Sequence, residues 1–321
     1  MGRSEVRLGV AAILVVLTLT GAGCSADKIG AQHGVMIHEG LIRSYRLYLP
    51  YALKSEDTVP LLIGLHGSSN TSVQFASETG FDMIADANHF IFACPDAIEG
   101  NWGDGRHDPA VPSQYLGIDD VDFIRALVEK LIDTYPIDPT RVYITGISNG
   151  GMMALRLACE ASDVFAAAAP VMGNMPMDLI PQCKPAHPMP IQFINGMSDP
   201  IVPYAGGYIY LLGVYRGRVE SVDKSVAFWA QHNACDAALP DVWLPDVDAN
   251  DGTQIWKREY LHGTDGAEVV LYAIHGGGHD WPSHFNSPIR ELFTGNNTQD
   301  INASQVIWEF LSRFRRQEAG Y

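Results

Sequence analysis

The chain has 321 residues, 47% hydrophobic and 18% charged, and its 37 Asp and Glu outnumber 21 Lys and Arg to give a formal net charge of −16. That apolar content excludes a disordered chain, and the acidic balance excludes nucleic acid and anionic polymers as partners. The length suits one α/β domain with a large core, and no fixed-period repeat or low-complexity tract is present.

In chain order, the first segment reads as targeting rather than fold. Arg3 and Arg7 precede an apolar run over 8–19 that is too short to span a bilayer comfortably but suits the apolar stretch of a signal peptide. Gly21-Ala22-Gly23-Cys24 follows and resembles the lipobox of bacterial lipoproteins, in which the cysteine is acylated and becomes the new N-terminus. The segment predicts a signal peptide over 1–23, lipidation at Cys24, a tether over 24–34 and one folded domain over 35–321. Export to a membrane-anchored periplasmic or surface location is therefore expected, with ordinary secretion if cleavage falls elsewhere. Removing Arg3, Glu5 and Arg7 makes the mature chain one charge more negative.

The apolar run over 59–65 predicts a buried strand, and it ends in His66-Gly67-Ser68. A second strand over 90–94 leads to the loop Asn101-Trp102-Gly103-Asp104-Gly105-Arg106, in which Asp104 and Arg106 read as a pair that fixes the loop. Over 120–135 the spacing of Val121, Ile124, Leu127, Val128, Leu131 and Ile132 makes one apolar helical face, capped by Asp at its start and stopped by Pro136. Strands alternating with such helices predict an α/β fold with a mostly parallel central sheet and helices on both faces.

The next strand, over 141–147, carries the most chemistry, because it ends in Gly146-Ile147-Ser148-Asn149-Gly150 and opens into a helix over 152–159. A serine hydroxyl attacks well only when exposed on a sharp strand-to-helix turn, where crowding admits little but glycine two positions to either side. This spelling is that of the nucleophile elbow of an α/β-hydrolase, and Ser148 is the expected nucleophile. In that fold an acid and a histidine follow at the ends of later strands. A strand over 189–195 delivers Asp199, the expected orienting acid. A strand over 268–274 runs into His275-Gly276-Gly277-Gly278-His279. His279 is preferred to His275 as the base, because three glycines let the loop fold back over the elbow. The oxyanion donors are expected to be the backbone amides of Ser68 and Asn149, and His66 reads as a structural histidine. No Cys/His zinc spacing, phosphate loop or dinucleotide fingerprint occurs, so neither a metal nor a cofactor is expected.

These residues carry a family resemblance. The segments 65–67, 101–106, 119–124, 146–153, 195–204 and 276–282 resemble those of the esterases grouped with polyhydroxybutyrate depolymerases and feruloyl esterases, within the carbohydrate esterase branch of the α/β-hydrolases. The family's nucleophile, acid and base fall on Ser148, Asp199 and His279. The chain departs from the family's usual spelling at Asn195-Gly196-Met197, before the acid, and at Ser283, where glycine often follows the Trp-Pro pair; both departures bear on substrate preference. The resemblance implies an exported serine esterase acting on feruloyl, acetyl or short hydroxyalkanoate esters, small or oligomeric. An acyltransferase using the same triad with an alcohol acceptor is the alternative, and a non-catalytic surface-binding protein is disfavoured by three competent triad residues. Trp102, Tyr204 and Trp281 are expected to contact substrate, and the helical run over 222–232 is expected to use Phe228 and Trp229 for core packing.

Of five cysteines, lipidation of Cys24 leaves Cys94, Cys159, Cys183 and Cys235. Cys159 with Cys183 is the favoured pairing, although spacing does not settle connectivity.

Overall fold

The computed structural model describes residues 29–54, 58–109, 111–284 and 288–317. The expected signal peptide and the lipidation site Cys24 lie outside these residues.

Strands β1 (Gly30–His38), β2 (Leu41–Leu49), β3 (Val59–Leu65) and β4 (Ile91–Pro95) form one flank of a 10-stranded sheet. Its centre and far side are β5 (Ile137–Ile147), β6 (Ala167–Val171), β7 (Ile191–Gly196), β10 (Val242–Trp243), β11 (Gln254–Tyr260) and β12 (Val269–His275). The order is β1-β2-β4-β3-β5-β6-β7-β12-β11-β10, and the run from β4 to β12 is parallel throughout, while β1, β2, β10 and β11 pair antiparallel at the two edges. A separate hairpin is made by β8 (Gly207–Leu211) and β9 (Val214–Val219).

The tether expected over 24–34 ends earlier than its spelling suggests. Gly30 to Gly34 already pair with Leu49 to Tyr45 in β1 and β2. Glycine, alanine and polar residues carry no strand signal of their own, so partner register decides here and not propensity.

Alternation assigns the strand side chains to two cores. Leu61, Ile63 and Leu65 enter the core under α4 (Asp120–Thr134), α5 (Asn149–Glu160) and α6 (Val222–His232), whereas Leu62 and Phe92 enter the core under α1 (Ser72–Thr79), α2 (Phe81–Asn88) and α8 (Ala303–Leu311). The short helices α3 (Pro112–Leu116) and α7 (Pro288–Thr294) lie outside this layering. The expected helix over 120–135 is α4: Asp119 caps it by accepting from the amides of Val121 and Asp122, and the chain leaves it at Tyr135, just before Pro136. Trp229 is buried and Phe228 packs beside it, as the pattern over 222–232 predicts.

The favoured disulfide is present: Cys159, at the end of α5, joins Cys183 with their Cα atoms 4.9 Å apart. Closing a loop of sequence separation 24 stabilises the fold by about 3 kcal/mol in the chain-entropy model. Cys94, buried in the sheet, and the half-buried Cys235 are free thiols, so the even set does not form a second bridge. Among the described residues no helix is long and apolar enough to cross a membrane.

Candidate active site

β5 ends one residue before Ser148, and α5 begins one residue after it. Ser148 sits at φ +58°, ψ −119°, a backbone region costly for a residue with a side chain, so the turn is strained and held there by its surroundings. What holds it is close backbone packing. A Cβ on Gly146 would lie 2.6 Å from the Gly150 carbonyl carbon, and one on Gly150 would lie 2.2 Å from the Leu65 oxygen. The two glycines are therefore required by the approach of β3 to the elbow.

Asp199 leaves β7 as expected and its side chain is 2% exposed. Its Oδ1 accepts from the amides of Ile201 and Val202, each at 2.8 Å, and its Oδ2 accepts from His279 Nδ1 at 2.6 Å. The two backbone donors fix the carboxylate, and the carboxylate fixes the imidazole in the tautomer that leaves Nε2 free to accept a proton. His279 reaches this position because Gly278 and His279 donate backbone bonds to Asn296 and Thr294, at 2.8 and 2.5 Å, and at Gly278 a Cβ would collide with the Thr294 oxygen. His275 is the last residue of β12 and is exposed. Of the two histidines, His279 is the one brought against Asp199, while His275 stays at the strand end.

Ser148 and His279 line one cavity of about 190 Å³, open to solvent, together with Gly67 and Ser68. Among the amides around it, Ser69 N donates to Gly100 O, Asn70 N to Gly67 O and Ser148 N to Val171 O. Those three amides are engaged elsewhere, and the amides of Ser68 and Asn149 remain the pair expected from the sequence. Asn149 is the first residue of α5, so the helix dipole also favours negative charge there.

His66 is structural, as expected. It is fully buried, its Nε2 accepts from Ala97 N at 3.1 Å and its Nδ1 donates to Gly67 O at 2.8 Å. Burial pushes its pKa below the ordinary histidine value, so it stays neutral and braces the loop carrying Ser68. Asp104 and Arg106 do form the loop-fixing pair, 2.8 Å apart.

The three aromatic residues expected at the substrate are placed elsewhere. Trp102 is fully buried; its Nε1 donates to His66 O at 3.0 Å, and its backbone is held on both sides by the Asn149 amide. Trp281 packs edge-on against Phe75 and Phe81 in the core and donates to Ser304 Oγ at 3.1 Å. Tyr204 is half-buried against the main core and burial pushes its hydroxyl pKa up. None of the three is among the residues that line the cavity shared by Ser148 and His279.

The residues that do line it are aliphatic and charged. Ile201 and Val202, from the turn after Asp199, and Ile209 and Leu211, from β8, supply an apolar wall. Arg106 and Arg216 are held to Asp104 and Asp108, and Asn70, Glu78, Arg290 and Thr294 also line the cavity. The hairpin turns at Leu212 and Gly213, both at positive φ, between two stretches that alternate inward Ile209 with outward Tyr208 and Tyr210. Ser283 also lies at positive φ, +64°, which explains why glycine suits the position after the Trp-Pro pair.

The family profile described as "Esterase PHB depolymerase" matches residues 43–175. The chain is 29% identical over 290 residues to the putative esterase NocK of Nocardia uniformis subsp. tsuyamanensis, covering 85% of this chain and 80% of the relative. It is 30% identical over 235 residues to feruloyl esterase B of Piromyces equi, covering 72% of this chain but 41% of that longer protein. Among solved structures, the acetyl xylan esterase from Aspergillus awamori superposes with a TM-score of 0.52 at 15% identity, over 82% of this chain and 98% of that one, which supports the α/β-hydrolase fold.

Proposed function

We propose that this chain, which is similar to esterases grouped with polyhydroxybutyrate depolymerases and feruloyl esterases, is a carboxylic ester hydrolase that works as a serine esterase through an acyl-enzyme. The observation that carries this reading is the 2.6 Å bond from His279 to a carboxylate fixed by two amides, on the same cavity as a serine held at positive φ. His279 Nε2 takes the Ser148 proton as Oγ bonds to the ester carbonyl carbon, and the Ser68 and Asn149 amides hold the oxyanion. Collapse breaks the bond to the alcohol oxygen, which leaves with the proton from His279. Water then gives a proton to His279 and attacks the acyl carbon, and Ser148 Oγ takes that proton back as the acid leaves.

Feruloyl, acetyl and short hydroxyalkanoate groups are the acyl candidates. A panel of nitrophenyl acetate, methyl ferulate and hydroxybutyrate oligomers is expected to give free acid from at least one, with acid rather than a new ester as the main product when a competing alcohol is added. Turnover of none of them would remove the reading, and predominant new ester would make the enzyme an acyltransferase.

The domain is exported and held to a membrane through Cys24, a reading supported by the spelling of 1–24. A lipid-carrying cysteine anchors by burying methylenes at about 0.8 kcal/mol each, so more than one chain is needed. Metabolic labelling with a fatty acid is expected to tag the wild type, and Cys24→Ser to abolish the tag. An unmodified mature N-terminus found by mass spectrometry would make the enzyme an ordinary secreted or periplasmic one.

A further inference from the structure

We infer that the segment over 97–104 sets the width of the oxyanion hole, with the Trp102 indole and the Asn149 side chain as its positioning residues; the inference rests on the serine-esterase reading above. Pairing between β3 and β5 ends at Leu65 with Gly146, so the turns beyond, which carry Ser68 and Asn149, need another support. The segment over 97–104 bonds to both. Toward the first turn, Ala97 N donates to His66 Nε2 at 3.1 Å, Trp102 Nε1 donates to His66 O at 3.0 Å and Gly100 O accepts from Ser69 N at 2.8 Å. These three bonds fall on the residues to either side of Gly67 and Ser68.

Toward the elbow the contact is made by the Asn149 side chain, which is fully buried. Its Oδ1 accepts from Trp102 N at 2.8 Å, and its Nδ2 donates to Trp102 O at 3.0 Å and to Asp104 Oδ2 at 2.6 Å. An asparagine side chain repeats the chemistry of a peptide group, so it meets both polar groups of one backbone residue and has a second N–H left for a charge-assisted bond. Asp104 is held in turn by Arg106, whose Nε and Nη2 both lie 2.8 Å from Oδ2. Between them, Gly103 N donates to Asp120 Oδ2 at 2.8 Å, and Asp120 Oδ1 accepts from the buried Arg43 at 2.8 Å, so the clamp is anchored from behind as well. Trp102 thus joins the two turns through one residue, its indole holding the turn that carries Ser68 and its backbone the turn that carries Asn149. Neither Trp102 nor Asp104 lines the cavity, so both act on the reaction through the amides they place. Two donors at a fixed spacing favour the tetrahedral oxyanion over the flat ester carbonyl, and a small shift of either one weakens the oxyanion more.

The test uses a trifluoromethyl ketone bearing the acyl group of the ester turned over best, which Ser148 converts to a hemiketal with its negative oxygen in the hole. Asn149→Ala keeps the backbone N–H and removes the clamp; kcat is expected to fall by about a hundredfold and KM to change by less than about threefold, because the loss is felt in the transition state. Trp102→Phe keeps an aromatic ring and removes the bond to His66 O, and should lower kcat by about tenfold. In both variants the Ki of the ketone should rise in step with the fall in kcat/KM, as for any analogue of the transition state. Ki does not depend on how much of a sample is folded, so a loss that is merely structural would leave it unmoved, and Trp102→Phe carries the test alone should Asn149→Ala fail to fold. A Ki within about threefold of the parent's in either folded variant, or a loss of kcat/KM that falls on KM, would overturn the role assigned to that residue while leaving the esterase reading intact. A wild type that hydrolyses esters yet binds the ketone no better than the matching ester would overturn both.

Discussion

Replacing Ser148 with alanine is expected to lower ester turnover by a factor on the order of 10⁶ while leaving the fold unchanged. The change deletes one oxygen from a half-buried side chain and keeps the Cβ, so the strain at φ +58° and the packing of Gly146 and Gly150 against β3 remain as they are. Circular dichroism and a thermal melt should match the parent, and the loss should fall on turnover. Residual activity within tenfold of the parent would mean that another group attacks the ester.

The second large effect is expected at the base. His279→Ala should cost about as much as loss of the nucleophile, because residues that act as a unit fail together. It should also lower stability by about 1–3 kcal/mol, since the 2% exposed Asp199 would lose the donor to Oδ2 and keep only the Ile201 and Val202 amides. His275→Ala, at an exposed strand end, should leave turnover near that of the parent. Comparing kcat and denaturation midpoints of the two variants checks both statements. A crippled His275→Ala beside an active His279→Ala would place the base at the strand end instead.

The part of the site that was legible in the sequence is the part dictated by the backbone. Gly146 and Gly150 are spelled by the approach of Leu65 and His66, and the glycines before His279 are spelled by the crossing of Gly278 over Thr294 and Gly295. Such constraints exclude nearly every other residue and so leave a mark in the chain itself. The cavity walls leave none. Glu78, Arg106, Arg216 and Arg290 come from four distant segments, and each alone reads as an ordinary surface charge. Trp102 and Trp281 looked like substrate contacts because they sit in loops beside the catalytic motifs. Their true partners, the His66 carbonyl and Ser304 Oγ, are 36 and 23 residues away, and only the fold brings them together. The antiparallel edge at β1 leaves no mark for a similar reason: the start of β1 takes its register from β2 and not from its own residues.

Attack by Ser148 to form a covalent acyl-enzyme is the central claim, and trapping that species tests it most directly. An alkyl phosphonate carrying a good leaving group mimics the tetrahedral intermediate and stops at the covalent stage, so intact-mass analysis should show one added phosphonyl group per chain. Peptide mapping should place the group on Ser148, and Ser148→Ala should remain unlabelled. An unlabelled wild type that still hydrolyses esters, or a label on any other residue, would contradict the account.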